Sequence, residues 1–240
     1  FYDSYSPFMM LRREGENLKT VFLAVIEPFH ETGGIQTVDY LDMAGDDPNH
    51  IAIRITFQGG REDVVLLNLN NPVITGKDDS EPVRTADGQF MLEGRAGVYS
   101  TRGFANMIAG TKFQTPEQTL TGETAVYRGT LLDAGSKMAG DSGNYFVTEA
   151  DLPEGMTLYG RWMSVQFGKY QTKNTETIKE QTDLSEMFEI DHIEKRDGKT
   201  YIFLQDDPAL DVGTDGCKEL MRPHREFSGT PQFHIYTSVQ

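Results

Sequence analysis

Hydrophobic and polar residues alternate over short stretches along most of the chain, and turn residues separate these stretches. Ile51–Phe57 alternates strictly and predicts a strand whose isoleucines share one face. Gln58–Arg61 contains two adjacent glycines and predicts a hairpin turn into a returning strand over Asp63–Leu69. The pattern therefore predicts antiparallel pairing between neighbours in the chain.

Two further regions predict strands of different kinds. Thr20–Ile26 (TVFLAVI) is apolar and rich in β-branched residues, which predicts a central strand buried on both faces. Met187–Ile193 and Lys199–Leu204 flank Asp197-Gly198, a dipeptide typical of tight hairpin turns. Only Thr177–Phe188 permits a helix, and its apolar spacing fits a helix weakly.

Short strands at regular spacing, separated by turn residues, predict an all-β protein. We expect an antiparallel β-sandwich followed by a small C-terminal β-domain. Asp151-Leu152-Pro153-Glu154-Gly155 is the best candidate boundary. Residues 1–150 are then the latter part of a central sandwich, and residues 151–240 are the small domain.

The charge of the chain narrows the classes of partner. Its 240 residues carry a formal net charge of −15. Nucleic acids and anionic membrane surfaces bind through clustered Lys and Arg, so neither is an expected partner. No apolar run reaches the length of a membrane span, and we expect no signal peptide within these residues. Because the chain opens on Phe1 without a methionine, we expect it to be processed or cut from a longer, exported protein.

The residues that usually carry chemistry form no local motif. The single cysteine, Cys217, allows no internal disulfide. No pair of histidines has the spacing of a zinc site, and each histidine is expected to be structural or exposed; the five are His30, His50, His192, His224 and His234. Asp206-Asp207-Pro208 is expected to end a strand through turn chemistry. The residues alone therefore indicate no catalytic residue, no metal and no cofactor.

Aromatic residues cluster in the second half of the chain. Tyr159, Trp162 and Tyr170 are the candidate carbohydrate-binding residues, because sugar rings stack on flat aromatic faces and these residues add a polar group. Phe167 lies among them. The alternative interpretation, which the pattern favours, is that the cluster forms the core of a sheet.

Two regions resemble heparinase II/III-like polysaccharide lyases. The first is Ser6–Gly15 followed by Thr20–Phe29, which is similar to a hairpin and a strand ending in Glu-Pro in the central β-sandwich of that family. The second is Met187–Pro208 (MFEIDHIEKRDGKTYIFLQDDP), which is similar to a hairpin of the family's small C-terminal β-domain. Glu219–Pro223 and Phe227-Ser228-Gly229 fit the end of the same domain.

The resemblance implies a parent enzyme with an N-terminal α/α-toroid upstream of this chain. Such enzymes cleave uronate-containing polysaccharides by β-elimination: a base removes the C5 proton, and a Tyr or His protonates the leaving oxygen. Those catalytic residues lie mainly in the toroid, so none is assigned to this chain. The resemblance implies that this chain supports the toroid and shapes the substrate cleft. It further implies an acidic polysaccharide as partner, bound through the parent enzyme, and a periplasmic or secreted location.

Two other functions stay open from the sequence. The chain is a stand-alone carbohydrate-binding or adhesion module if its aromatic cluster is exposed. It is a small β-barrel enzyme if acids or histidines from distant strands converge. The sequence does not identify the polysaccharide.

Overall fold

The computed structural model describes residues 12–16, 21–28, 30–70, 81–172, 185–213, 215–221 and 225–240, and only the backbone of 169–172 and 225. Within these ranges the protein is all-β, with antiparallel sheets consistent with a β-sandwich, so the predicted fold class is confirmed. Apart from one 3₁₀ turn, Lys137–Ala139, the regular elements in these ranges are strands. No helix in the same ranges has the length and apolar character needed to cross a bilayer.

Three sheets contain the described strands. The first sheet has the order β1-β2-β3-β5-β6-β19, with β4 on β5 and β7 on β6. Its strands are β1 (Ile35–Tyr40), β2 (His50–Phe57), β3 (Glu62–Asn68), β4 (Val83–Arg84), β5 (Met91–Ser100), β6 (Phe104–Gln114), β7 (Thr119–Thr121) and β19 (Ser238–Val239).

The second and third sheets contain the remaining described strands. The second has the order β8-β18-β11-β13-β14-β10-β9, and the third has the order β12-β17-β16-β15. The second sheet consists of β8 (Val126–Thr130), β9 (Asp133–Gly135), β10 (Tyr145–Thr148), β11 (Trp162–Gln166), β13 (Ser185–Arg196), β14 (Lys199–Leu204) and β18 (Gln232–Tyr236). The third consists of β12 (Lys169–Thr172), β15 (Leu210–Gly213), β16 (Gly216–Glu219) and β17 (Arg225–Ser228).

The buried hydrophobic side chains form two clusters, and each cluster lies on different sheets. One lies on the first sheet and includes Leu66, Leu92 and Phe113. The other joins the second and third sheets, where Phe167 stacks on Phe227 with ring centroids 4.9 Å apart. The chain passes from the first sheet to the second between β7 and β8, upstream of residues 151–155, and returns to the first sheet with β19. A division into two domains near residue 150 stays a prediction.

Both predicted hairpins are present, and their turns explain why. Gly59 and Gly60 between β2 and β3 have φ of 88° and 80°, and Asp197 and Gly198 between β13 and β14 have φ of 50° and 76°. Positive φ is accessible to glycine and tolerated by Asp, as a tight hairpin turn requires. Local turn chemistry therefore determines these pairings.

The predicted central strand at Thr20–Ile26 is wrong for its described part. Residues 21–28 form no strand, and Ile26 is 88% exposed. The Glu27 carboxylate instead accepts hydrogen bonds from the amides of Gly34 and Ile35, at 2.6 and 3.1 Å, where β1 begins. β-propensity produces a strand only where a sheet edge is available to pair with it, and this segment has no such pairing. The possible helix over Thr177–Phe188 is also wrong at its described end, because residues 185–188 begin β13.

Asp206-Asp207-Pro208 follows the end of β14, as predicted, and the Asp207 carboxylate also connects two loops. Its carboxylate accepts hydrogen bonds from Ser136 Oγ at 2.6 Å, the Met138 amide at 2.9 Å and the Ala209 amide at 2.8 Å. Partial burial raises the pKa of Asp207, but the hydrogen bonds from these three donors outweigh it, so the pKa lies below its ordinary value.

Replacement of Asp207 by asparagine is expected to lower the free energy of unfolding at neutral pH by about 1–3 kcal/mol, because an amide cannot accept all three hydrogen bonds. Because the pKa of Asp207 is lower in the folded protein, its ionised carboxylate stabilises the folded state at pH values above the unfolded pKa of about 3.9. This stabilisation is lost as the pH falls through the folded pKa. The difference between wild type and variant should therefore shrink in acid. Urea denaturation at several pH values measures the difference in the free energy of unfolding. Asp206→Asn is the control, because Asp206 is exposed. An equal effect of the two substitutions would contradict the role of Asp207.

Candidate functional site

One face of the second sheet carries several aromatic side chains. Alternation along β11, β13 and β14 directs Met163, Ile190 and Ile202 into the core, and their neighbours in the chain to the opposite side. We call that side the outer aromatic face, and define it by Tyr145, Tyr159, Trp162, His192, Tyr201 and Phe203.

Trp162 and Tyr159 form one end of this face. Trp162 begins β11, lies opposite Glu189 of β13, and is 50% exposed; Tyr159 is 55% exposed. The Glu189 carboxylate lies over Gly160, between the two aromatic residues, since a Cβ on Gly160 would be 3.8 Å from Glu189 Oε1. Gln205 Nε2 donates a hydrogen bond of 3.0 Å to the same oxygen. This end therefore combines two exposed rings with a carboxylate–amide pair.

Backbone hydrogen bonds hold the loop that carries Tyr159. Gly155 and Ile193 exchange two N–H···O bonds of 2.9 Å. Further along, the Gly160 amide donates to the Ile190 carbonyl, and the Ile190 amide donates to the Arg161 carbonyl, each at 2.9 Å. The loop thus continues the ladder of β13, and these bonds hold the backbone that carries Tyr159, which lowers the cost of ordering the loop on binding.

The rest of the face is a row of rings across β13, β14 and β10. His192 stacks on Phe203 with centroids 4.4 Å apart and planes at 3°. Tyr145 then contacts Phe203 at 5.6 Å and Tyr201 at 5.4 Å, both in tilted arrangements. The Arg196 guanidinium lies 5.2 Å from the Tyr201 centroid. These contacts stabilise the hairpin and hold the rings in position.

A β-bulge positions the acidic groups beside this row. The β13–β14 register shifts between Ile190 and His192, so Asp191 has no partner opposite it on β14. His192 Nδ1 lies 2.7 Å from Asp191 Oδ2, and His192 Nε2 lies 3.3 Å from Glu194 Oε1. Glu194 also contacts Arg196, and this hydrogen bond together with that from His192 lowers the pKa of Glu194.

Tyr145 lies over a small residue of the edge strand. A Cβ on Gly135 of β9 would approach the Tyr145 ring to 2.3 Å, so glycine leaves the space that the ring occupies. Burial, and then the charges of Asp141 and Asp133, raise the pKa of Tyr145. The phenol therefore stays neutral at physiological pH and keeps its proton to donate.

Of the three candidate residues, Trp162 lies opposite Glu189 in the ladder, and Tyr159 precedes Gly160, which lies against the Glu189 carboxylate. Tyr170 lies on β12 of the third sheet, and its side chain is outside the described part. Phe167 is buried, as the core interpretation predicted, but Trp162 and Tyr159 are exposed.

Four residues of this face were not among the binding residues predicted from the sequence: Tyr145, His192, Tyr201 and Phe203. Tyr201 and Phe203 alternate with buried Ile202 and Leu204 in a strand of mostly apolar residues. Such a run gives no signal of which residues face outward.

Two other histidines of the described residues lie elsewhere. His234 is buried in β18, and burial together with the charge of Arg128 lowers its pKa. His50 Nε2 lies 4.0 Å from Asp47 Oδ2 on the first sheet. His224 lies outside the described residues. In the described ranges, no three His, Cys, Asp or Glu side chains are grouped closely enough to hold a metal ion.

A separate cleft of about 570 Å³ lies between β5–β6 and β8. Glu93, Glu123 and Arg128 line it, beside a bulge where Gly94 pairs with Gly110.

Comparisons of the chain with protein-family models, curated proteins and solved structures gave no match. The geometry of the site is therefore the basis for a functional proposal.

Proposed function

We propose that this chain is a non-catalytic, carbohydrate-binding β-structured part of a polysaccharide-degrading enzyme. The observation that supports this best is the Trp162 end of the outer aromatic face. Flat rings bury the apolar faces of sugars, while carboxylate and amide groups accept and donate hydrogen bonds to sugar hydroxyls. Trp162, Tyr159, Glu189 and Gln205 supply both kinds of group on a fixed backbone.

We further propose that the parent enzyme is a heparinase II/III-like polysaccharide lyase that acts on uronate-containing chains. The resemblance of Met187–Pro208 supports this, because the segment forms the β13–β14 hairpin and ends in the Asp207 turn. The resemblance of Thr20–Phe29 supports it less, because no strand forms over residues 21–28. In this proposal the upstream toroid performs β-elimination, and this chain supports it and holds the polysaccharide.

A stand-alone binding or adhesion module is the second candidate. The specific observation that favours it is that Trp162 and Tyr159 are 50% and 55% exposed beside the Glu189–Gln205 pair. The two candidates differ in the protein that surrounds the chain. A gene that encodes a helical toroid upstream of Phe1 would favour the lyase, and a signal peptide directly before Phe1 would favour the module.

Electrophoresis of the chain through gels that contain polysaccharide tests the proposed binding. We expect at least one polysaccharide to retard the wild type, and Trp162→Ala to weaken the affinity at least about tenfold, or about 1.4 kcal/mol, because the stacking surface is removed. Phe104→Ala is the matched control, since Phe104 is 44% exposed but lies on the first sheet. Equal retardation of Trp162→Ala and wild type would contradict the assignment of this face.

Turnover by the isolated chain tests its non-catalytic role. β-Elimination leaves an unsaturated uronate, whose ultraviolet absorbance is followed directly. We expect no increase in absorbance when the chain is mixed with alginate, hyaluronan or heparin. Formation of unsaturated product would contradict the placement of the catalytic residues upstream.

A further inference from the structure

We infer that the Trp162 end of the outer aromatic face selects uncharged sugar units, so that its ligand is a neutral stretch of polysaccharide. This inference rests on the carbohydrate-binding function proposed above and assigns its ligand class. In the parent enzyme, recognition of uronate carboxylates is then left to the upstream toroid.

A carboxylate lies directly beside Trp162. Glu189 lies opposite Trp162 in the ladder and over Gly160, next to Tyr159. Its described partner is the neutral Gln205 amide, and no ion pair of Glu189 occurs within the described ranges. A uronate stacked on Trp162 would place its carboxylate near that of Glu189, and like charges at such distances repel. A sugar hydroxyl at the same place would donate to Glu189.

Two basic side chains of the β13–β14 hairpin, Arg196 and His192, already contact carboxylates. Arg196 contacts Glu194 and covers the rings of Tyr201 and Phe203. His192 lies between Asp191 and Glu194. Binding a uronate through either group would require separating it from a carboxylate that is part of the protein, which removes most of the gain.

Three other basic side chains do not change this balance. Lys195 pairs with Asp151, and Arg161 donates to Ser238 Oγ and, at 3.4 Å, to the Ser238 carbonyl. Lys199 is exposed, but it lies at the β13–β14 turn, at the opposite end of the hairpin from Glu189. The net charge of −15 adds a repulsive background to these local charges.

The test compares neutral and acidic polysaccharides with the same chain. Wild type is run through gels that contain galactomannan, mixed-linkage β-glucan or xylan as neutral probes, and alginate or hyaluronan as acidic probes. We expect at least one neutral probe to retard the wild type, with at least about tenfold weaker binding in Trp162→Ala. We expect no retardation by the acidic probes at low salt, where charge repulsion is screened least.

Glu189→Gln removes the negative charge of this side chain and keeps its size. The amide is similar in size and keeps an oxygen that accepts from Gln205, so the substitution removes the charge but not the acceptor. Neutral binding is expected to weaken, because an uncharged acceptor binds a sugar hydroxyl less strongly than a carboxylate does. Binding of acidic probes should increase relative to wild type, and thermal unfolding shows whether the variant is folded.

Retardation by acidic probes alone would overturn this inference but leave the proposed binding function intact. If the acidic probes retard Glu189→Gln no more than they retard the wild type, Glu189 is not the group that selects against uronates. No retardation by any probe would overturn both the inference and the proposed function.

Discussion

Replacement of Phe146 by alanine is expected to lower the free energy of unfolding by about 3–5 kcal/mol, among the largest effects of a single substitution in this chain. Phe146 of β10 is fully buried, at 0% exposure. Its ring meets that of Phe188 edge-on, with centroids 5.1 Å apart and planes at 80°. Truncation would remove the apolar surface buried on folding and leave a cavity inside the cluster that joins the second and third sheets.

Denaturant unfolding followed by circular dichroism measures this loss. Phe104→Ala is the control, because the same atoms are removed from a side chain that is 44% exposed. It should change the free energy of unfolding by less than about 1 kcal/mol. A comparable loss for both variants would show that β10 does not pack against the core as described.

Replacement of Gly168 by alanine is expected to destabilise the protein by about 3 kcal/mol or more. A Cβ at this position would be 1.6 Å from the Ser228 carbonyl oxygen and 2.8 Å from the carbonyl carbon. The obstacle is backbone, so no rotation of a side chain relieves it. Gly168 precedes β12, whose first residue pairs with Ser228 of β17, and the added methyl group would force these strands apart.

Gly45→Ala is the matched control for this substitution. No atom lies within 4 Å of the Cβ that it would add, and Gly45 does not have a positive φ. It is expected to leave stability unchanged or to raise it by up to about 1 kcal/mol, because alanine restricts the unfolded chain. Thermal or denaturant unfolding of both variants checks the pair. Similar stability of Gly168→Ala and wild type would mean that β12 does not approach β17 so closely.

The hairpins were predictable because their information is local. Two glycines after β2, and Asp-Gly between β13 and β14, supply the positive φ that tight turns require. The strand over Ile51–Phe57 was predictable for a similar reason, since alternation of side chains is a property of the backbone. The sequence did not predict which face of this strand packs into the hydrophobic cluster of the first sheet. Ala52 belongs to that cluster, and none of the isoleucines of this strand does.

The candidate site was only partly predictable. Trp162 and Tyr159 were identified as aromatic residues near each other in the chain, but their exposure depends on what covers the second sheet. Glu189 was not identified, because its place opposite Trp162 is set by the register of β11 against β13. Asp191 reaches His192 through a bulge, which shifts the alternation that sequence analysis relies on.

The sequence by itself determined the all-β class, the two tight hairpins and the acidic charge, because each follows from neighbouring residues or from composition. The tertiary structure decided that Thr20–Ile26 forms no strand over residues 21–26, and that β8, β9 and β10 join the sheet of β13 and β14. It also decided that Trp162, Glu189 and Gln205 meet on one face. These outcomes depend on contacts between residues far apart in the chain, and their free energies are set by which edges and faces the whole fold leaves open.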